Sequence, residues 1–138
     1  MKLFHPRLIT QDVHRLARFY EQVLGIAAIG SEDYVELRGL GASLAISSKR
    51  SVDLFNAGAA EPGANRSVIL DFEVGDVDKE RSRLQEFVVE FVLEPTDQPW
   101  GNRSMLFRDP EGNLINFFAR TQSSQPNPSV LRSSAGIQ

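Results

Sequence analysis

Residues 12–25 read DVHRLARFYEQVLG, a segment with one apolar and one polar side. Its large apolar residues recur at spacings of three and four, which is typical of an amphipathic helix. They are Val13, Leu16, Phe19, Tyr20, Val23 and Leu24. Asp12 stands where an N-cap belongs and Gly25 where a left-handed C-cap belongs. The sequence therefore predicts a helix between these two residues.

Strand-like segments flank this helix on both sides. Residues 3–9 alternate in polarity and hold a proline near their start, which predicts an edge strand. Gly39 and Gly41 punctuate the segments after the helix as turns. Three short strands are predicted there, at residues 26–29, 34–37 and 43–47. The first half of the chain therefore has the predicted order β-α-β-β-β.

The same order repeats after residues 48–66, which are rich in Ser, Gly, Ala and Asn and are interpreted as a linker. The second half is predicted to hold a strand at 67–74, a helix from Asp76 to about Phe87, strands at 88–93, 103–108 and 114–119, and a turn at 109–113. We therefore predict an α+β fold of two βαβββ modules in a single domain, 1–120. Module 1 covers about 1–50, module 2 about 67–120, and 121–138 form a polar tail.

Composition excludes several classes of function. The net charge of −3 gives no electrostatic attraction for nucleic acid or for an anionic membrane. The absence of cysteine excludes disulfides, thiolate metal sites and cysteine nucleophiles. The N-terminus lacks the apolar segment of a signal peptide, and no apolar run approaches membrane-spanning length. We expect a cytoplasmic protein with neither nucleic acid nor membrane as a partner.

Two parts of the sequence resemble one known superfamily. Residues 4–12, FHPRLITQD, followed by ARFYEQVLG at 17–25, resemble the opening of vicinal oxygen chelate proteins, which include glyoxalases, bleomycin resistance proteins and extradiol dioxygenases. PWGNRS at 99–104 and RDPEGN at 108–113 resemble the closing half. The resemblance spans about residues 3–119. It implies two modules that curl into a half-barrel cup, and it implies pairing across subunits, hence a homodimer.

The resemblance also implies where a metal would bind. Metal-dependent members hold a divalent ion with two inward-facing residues per module, on its first and last strands. Carried over, these four positions fall on His5, Ala45, Ile69 and Asn116. Alanine and isoleucine have no donor atom, and an asparagine amide is a weak ligand. We therefore expect no metal and no other cofactor, with His5 as the only strong remnant ligand; a shift of the third position to Asp71 stays open.

Strand alternation extends this assignment to a whole surface, which we call the cup face. If the four positions face the cup, so do their neighbours two residues away, which gives His5, Arg7, Ile9, Ser43, Ala45, Ser47, Ile69, Asp71, Glu73, Leu114, Asn116 and Phe118. The opposite face is then apolar throughout, with Leu8, Leu44, Ile46, Leu70, Phe72, Val74, Ile115 and Phe117. A slip of one residue would bury the polar set, so this register is favoured.

Mixed polar and apolar walls are typical of a site for a small organic ligand. The predicted ligand-binding residues are His5, Arg7, Asp71, Trp100, Asn116 and Phe118. Trp100 either stacks on a flat ligand at the cup mouth or packs in an interface. Arg7 and Asp71 either anchor a ligand or form a structural ion pair. His5 is a remnant ligand, a proton carrier, or a polar residue hydrogen-bonded to a neighbour. Glu36 and Glu90 are expected to be exposed.

Three functions are compatible with these residues. The sequence favours a non-catalytic protein that binds a small hydrophobic or aromatic compound, with the acidic chain weakly favouring cationic ligands. The alternative is a metal-dependent or metal-free lyase, isomerase or dioxygenase, with His5, Asp71 and Glu73 as candidate acid–base catalysts. A regulatory module that uses the tail at 121–138 as a contact arm is the third hypothesis.

Overall fold

The structure is a computed structural model that describes residues 1–39 and 41–121. Module 1 holds β1 (Arg7–Thr10), α1 (Val13–Leu24), β2 (Ile29–Gly30), β3 (Tyr34–Leu37) and β4 (Leu44–Ser48), followed by α2 (Lys49–Asn56). Module 2 holds β5 (Ile69–Glu73), α3 (Val77–Leu84), β6 (Phe91–Asp97), β7 (Asn102–Arg108) and β8 (Leu114–Arg120). The predicted α+β fold of two βαβββ modules is confirmed. Beyond Thr121, the predicted tail lies outside the described residues.

Each module forms one four-stranded sheet with the same topology. The strand orders are β1-β4-β3-β2 and β5-β8-β7-β6. In both sheets the first strand pairs in parallel with the last, and the other pairs are antiparallel. Because β1 and β5 each pair on one side only, both leave an edge without a strand partner among the described residues.

Helix α1 begins and ends where the sequence predicts. The Asp12 carboxylate accepts a hydrogen bond from the Arg15 backbone N–H at 3.1 Å. Gly25 adopts a left-handed conformation with φ of 70°, and its N–H donates to the Glu21 carbonyl at 2.9 Å. Both caps satisfy backbone groups that the helix itself leaves unpaired.

Several predicted boundaries are wrong. Strand β1 begins at Arg7 rather than at residue 3, so His5 precedes the strand. Helix α3 ends at Leu84 rather than at Phe87. Val88 is buried and donates its N–H to the Leu84 carbonyl at 3.0 Å, so it closes α3 instead of starting the next strand. Strand β6 accordingly begins three residues later than predicted, at Phe91.

The predicted linker at 48–66 contains helix α2, which the sequence analysis did not predict. Ser48 caps it by accepting a hydrogen bond from the Ser51 N–H at 3.0 Å. Lys49 and Asp53 form an ion pair one turn apart at 2.5 Å. Small residues, which suggested a linker, are concentrated after this helix rather than within it.

The apolar sides of both sheets share one core with α1 and α3. The buried members of the predicted apolar face are Leu44, Ile46, Leu70, Ile115 and Phe117, and Leu8, Phe72 and Val74 pack partly buried against them. The predicted register is therefore confirmed. No helix among residues 1–39 and 41–121 is long and apolar enough to cross a membrane.

Polar contacts join the two modules at the helix ends. Tyr20 of α1 is fully buried and donates its hydroxyl to Asp109 Oδ2, in the turn before β8, at 2.6 Å. Burial, reinforced by the charge of Asp109, raises the pKa of Tyr20 well above its ordinary value. The Arg83 guanidinium of α3 donates to the Val23 carbonyl of α1 at 2.7 Å. Thr10 and Glu111 add a hydrogen bond between the end of β1 and the same turn.

Candidate functional site

The cup face of module 1 has a floor of small side chains on its central strand. Ser43, Ala45 and Ser47 of the β4 segment face this side, and Ala45 is 0% exposed. The register places Ala45 between Arg7 of β1 and Glu36 of β3. Small side chains on β4 leave room for larger ones from both neighbours to meet above it.

His5 and Tyr34 meet across this floor. The Tyr34 hydroxyl lies 3.2 Å from His5 Nε2 and donates to Glu36 Oε2 at 2.6 Å. Arg38 Nε donates to the other oxygen of Glu36 at 2.7 Å. We call these four residues, His5, Tyr34, Glu36 and Arg38, the module 1 cluster.

The hydrogen bonds of the cluster fix its protonation. The Tyr34 hydroxyl, and then Arg38, hold the pKa of the Glu36 carboxyl below its ordinary value. The same hydrogen bond to Glu36 raises the pKa of Tyr34. Glu36 is therefore ionised and Tyr34 keeps its proton over the physiological range.

Sequence reasoning missed Tyr34 and Glu36. The expectation that Glu36 is exposed is wrong, since its side chain is only 15% exposed. The alternation of Tyr34-Val35-Glu36-Leu37 carried the signal, because Val35 and Leu37 are buried and their neighbours must face the cup. Glu90 is exposed, as expected.

The cup face of module 2 is more open and more apolar. Asn116 Nδ2 donates to Asp71 Oδ1 at 2.9 Å, across the β5–β8 pair. Glu73 lies 3.6 Å from the Arg120 guanidinium. Around these groups stand Ile69, Leu106, Leu114 and Phe118, of which Ile69 is 50% exposed.

The structure separates some residues that the sequence analysis grouped. Arg7 and Asp71 form no ion pair, and Arg7 has no ion pair with any other residue within 1–39 and 41–121. The positive charge of Arg7 instead acts to lower the pKa of Tyr34, against the larger effects that raise it. Asp71 bonds to Asn116 instead. Trp100 is 57% exposed in the turn between β6 and β7, and no ring of the described chain stacks on it.

The donor atoms do not fit a tightly held divalent ion. Of the four positions implied by the resemblance, Ala45 and Ile69 offer no donor. His5 already contacts Tyr34 through Nε2, and Asn116 offers a neutral amide oxygen. In the part of the chain that the structure describes, no three or more His, Cys, Asp or Glu residues are grouped as a metal site would require, and the Asp71 carboxylate accepts a hydrogen bond from Asn116.

Among the surface hollows of the described residues, two are candidate ligand sites. One of about 230 Å³ lies between the open edges of β1 and β5 and contains Arg7, Ile9, Val68 and Leu70 among its lining residues. The other, of about 430 Å³, is lined by Gln11, Lys49, Arg50, Asp53 and Leu54 beside α2. The larger hollow contains no cup-face residue, so the smaller one, at the junction of the modules, is the better candidate for ligand access.

Known proteins resemble this chain over nearly its whole length. A protein of Bacillus subtilis (strain 168) named YraH is 30% identical over 130 residues, with 86% of this chain and 98% of the relative covered. A glyoxalase/bleomycin resistance protein/dioxygenase from Nocardioides superposes with a TM-score of 0.75 at 24% identity, covering 92% of this chain and 89% of that one. A glyoxalase/bleomycin resistance protein/dioxygenase family enzyme from Burkholderia phytofirmans PsJN superposes with a TM-score of 0.77 at 18% sequence identity. The match covers 87% of this chain and 99% of that one.

Likeness to these two solved structures shows the fold alone. Evidence from the sequence comes from the family model of the Glyoxalase/Bleomycin resistance protein/Dioxygenase superfamily, which matches residues 2–117. That match covers module 1 and all of module 2 except the last residues of β8, so the chain belongs to the Glyoxalase/Bleomycin resistance protein/Dioxygenase superfamily.

Proposed function

We propose that this protein binds a small organic ligand at its cup faces and does so without a catalytic divalent ion. The observation that carries the proposal is the donor set, in which alanine and isoleucine occupy two of the four inward positions and Tyr34 contacts the only imidazole among them. A family member with such a set keeps the shape of the cup but lacks the ligands for metal chemistry.

The walls of the cup support an organic ligand. Module 1 contributes ionised and hydrogen-bonding groups, whereas module 2 contributes partly exposed apolar side chains such as Ile69 and Phe118. A few placed polar groups among apolar ones orient a small molecule, and the apolar area provides affinity. The hollow between β1 and β5 gives such a molecule a place beside Arg7.

The metal-free part of the proposal is tested by elemental analysis of protein purified without chelators and by calorimetric titration with Zn²⁺ and Mn²⁺. We expect far less than one ion per chain. The chain offers a matched control, since its two histidines are His5 and the exposed His14 on α1. One ion per chain that is lost in His5→Ala and kept in His14→Ala would contradict the proposal.

The ligand-binding part is tested by screening small aromatic compounds with ligand-observed NMR. Compounds that bind at the cup are expected to lose affinity with Phe118→Ala and to keep it with Leu54→Ala, which alters the hollow beside α2. The reverse pattern would place binding at α2 and reject the cup as the site.

A metal-free acid–base enzyme is the second candidate, and the module 1 cluster favours it. The imidazole of His5 contacts Tyr34, which in turn donates to Glu36, and such a chain resembles the arrangement by which proteins orient a general base. Asp71 and Glu73, the other candidate catalysts, lie on the opposite module, where Asn116 and Arg120 engage them. Turnover of an aldehyde or catechol substrate that is abolished in His5→Ala and retained in His14→Ala would favour catalysis over binding alone.

We also propose a homodimer in the cytoplasm. Large apolar side chains such as Ile29, Val92 and Trp100 are exposed in the single chain, and burial against a second copy would remove them from water. The lack of cysteine supports a reducing compartment. Light scattering after gel filtration tests the dimer, and a mass equal to one chain at micromolar concentration would contradict it.

A further inference from the structure

Two buried side-chain atoms in the described residues have no hydrogen-bond partner, Nδ1 of His5 and Oδ1 of Asn116. Both residues belong to the cup-facing set, one in each module. Buried polar atoms are nearly always paired in native proteins, because a lost partner costs stability. These two exceptions, one on the cup face of each module, therefore need a physical explanation.

The neighbours of His5 determine what its free nitrogen can do. The Tyr34 proton is engaged by Glu36, whose carboxylate is ionised, so the phenol oxygen can only accept from the imidazole. Nε2 of the neutral ring therefore carries the proton and donates to Tyr34 at 3.2 Å. Nδ1 is left with a lone pair and is an acceptor.

The orientation of the Asn116 amide follows in the same way. Asp71 lies 2.9 Å from one end of the amide and, as a carboxylate, can only accept. The NH₂ group must therefore point to Asp71, and the unpartnered atom is the carbonyl oxygen. Both orphan atoms are acceptors, and each is fixed as such by a carboxylate within its own module.

We propose that these acceptors receive hydrogen bonds from a protic ligand, a small molecule that carries O–H or N–H groups. This inference rests on the proposed function and adds the chemical class of the ligand. Tyr34 and Glu36 act as positioning residues, since they keep the lone pair on His5 Nδ1. The Phe4 ring, 4.8 Å from the His5 ring, provides an apolar neighbour for an aromatic ligand of this class.

The test compares phenol with anisole, its methyl ether, by ligand-observed NMR titration. Apolar burial alone favours anisole, so a preference for phenol reports a hydrogen bond donated by the ligand. We expect phenol to bind about fivefold more tightly than anisole. His5→Phe and Asn116→Leu are each expected to reduce this preference, and Leu54→Ala beside α2 should leave it unchanged.

Equal affinity for the two probes would overturn the inference while leaving the proposed function in place. If neither probe binds, the melting temperatures of His5→Phe and Asn116→Leu show whether the inference holds. An unchanged or higher melting temperature in His5→Phe and Asn116→Leu supports the inference, because removal of the orphan acceptor then offsets the lost hydrogen bond to Tyr34 or Asp71. A fall of about 4 °C or more overturns it, because the two side chains then serve the fold. A proton found on His5 Nδ1 by nitrogen NMR of the neutral ring also overturns it.

Discussion

On the cup face of module 1, one row of paired residues runs from Arg7 through Ala45 to Glu36, whereas the corresponding row of module 2 runs from Asp71 through Asn116 to Leu106. The next row contains Tyr34 and Ser47 in module 1, and Ser104 and Phe118 in module 2. The large side chain thus stands on the third strand of one module and on the fourth strand of the other.

This exchange explains why the two faces differ chemically although their backbones repeat. In module 1 the fourth strand carries small side chains on the cup face, so Tyr34 and His5 meet above it. The polar atoms of these two residues are largely paired. In module 2 the fourth strand carries Phe118 and Asn116, so the surface is apolar around one amide–carboxylate pair. A shared topology therefore fixes where side chains stand, and their sizes decide which of them interact.

The largest effect is expected where the modules depend on each other. Asp109 is buried, and its carboxylate accepts from the Tyr20 hydroxyl, the Glu111 and Asn113 N–H groups and the Asn113 amide. Asp109→Ala leaves these donors unpaired and should lower the free energy of unfolding by about 3 kcal/mol in urea titrations.

Asp33→Ala serves as the matched control, because Asp33 accepts from Ser48 and Arg50 within module 1 only, in a more exposed place. Asp33→Ala should lower the free energy of unfolding by clearly less than Asp109→Ala does. Equal losses would mean that the buried contact between Tyr20 and Asp109 does not hold the modules together.

A carboxylate introduced at Ala45 or Ile69, two of the implied metal-ligand positions, should have different effects on stability in the two modules. Ala45 is 0% exposed, so Ala45→Glu must displace neighbouring side chains and should lower the free energy of unfolding by about 2 kcal/mol. Ile69 is 50% exposed, and Ile69→Glu should change it by no more than about 0.5 kcal/mol. Thermal and urea unfolding measure both. Similar costs at the two positions would contradict the covered position of Ala45 on the floor of small side chains in module 1.

The smallest effect concerns acid stability. The pKa of Glu36 is held below its ordinary value of 4.5, first by Tyr34 and then by Arg38. A lowered carboxyl pKa stabilises the fold above the unfolded value, and this contribution is lost as pH falls through the folded value. Glu36→Gln and Tyr34→Phe should therefore lose less melting temperature than the parent chain when acidified below about pH 4.5. An identical acid decline in all three proteins would show that the cluster is not formed.

Local sequence patterns predicted the elements whose cause is local. The period of residues 12–25 and its two caps predicted α1 with its correct ends, and strand alternation predicted the apolar side of both sheets, from Leu44 to Phe117. Asp71 and Asn116 were placed on one face by the same alternation. These features follow from the periodicities of 3.6 and 2 that a helix and a strand impose on any chain.

Only the tertiary structure decided which polar groups meet. His5 precedes β1, Tyr34 and Glu36 lie on β3, and their contact depends on the small residues of β4 between them. The tertiary structure also begins β1 at Arg7, and it pairs Asp71 with Asn116 rather than with Arg7, which removes the structural ion pair that was one of the two alternatives for Arg7 and Asp71. Sequence periodicity specifies the direction of a side chain, but the reach and size of neighbours from other strands determine its partner.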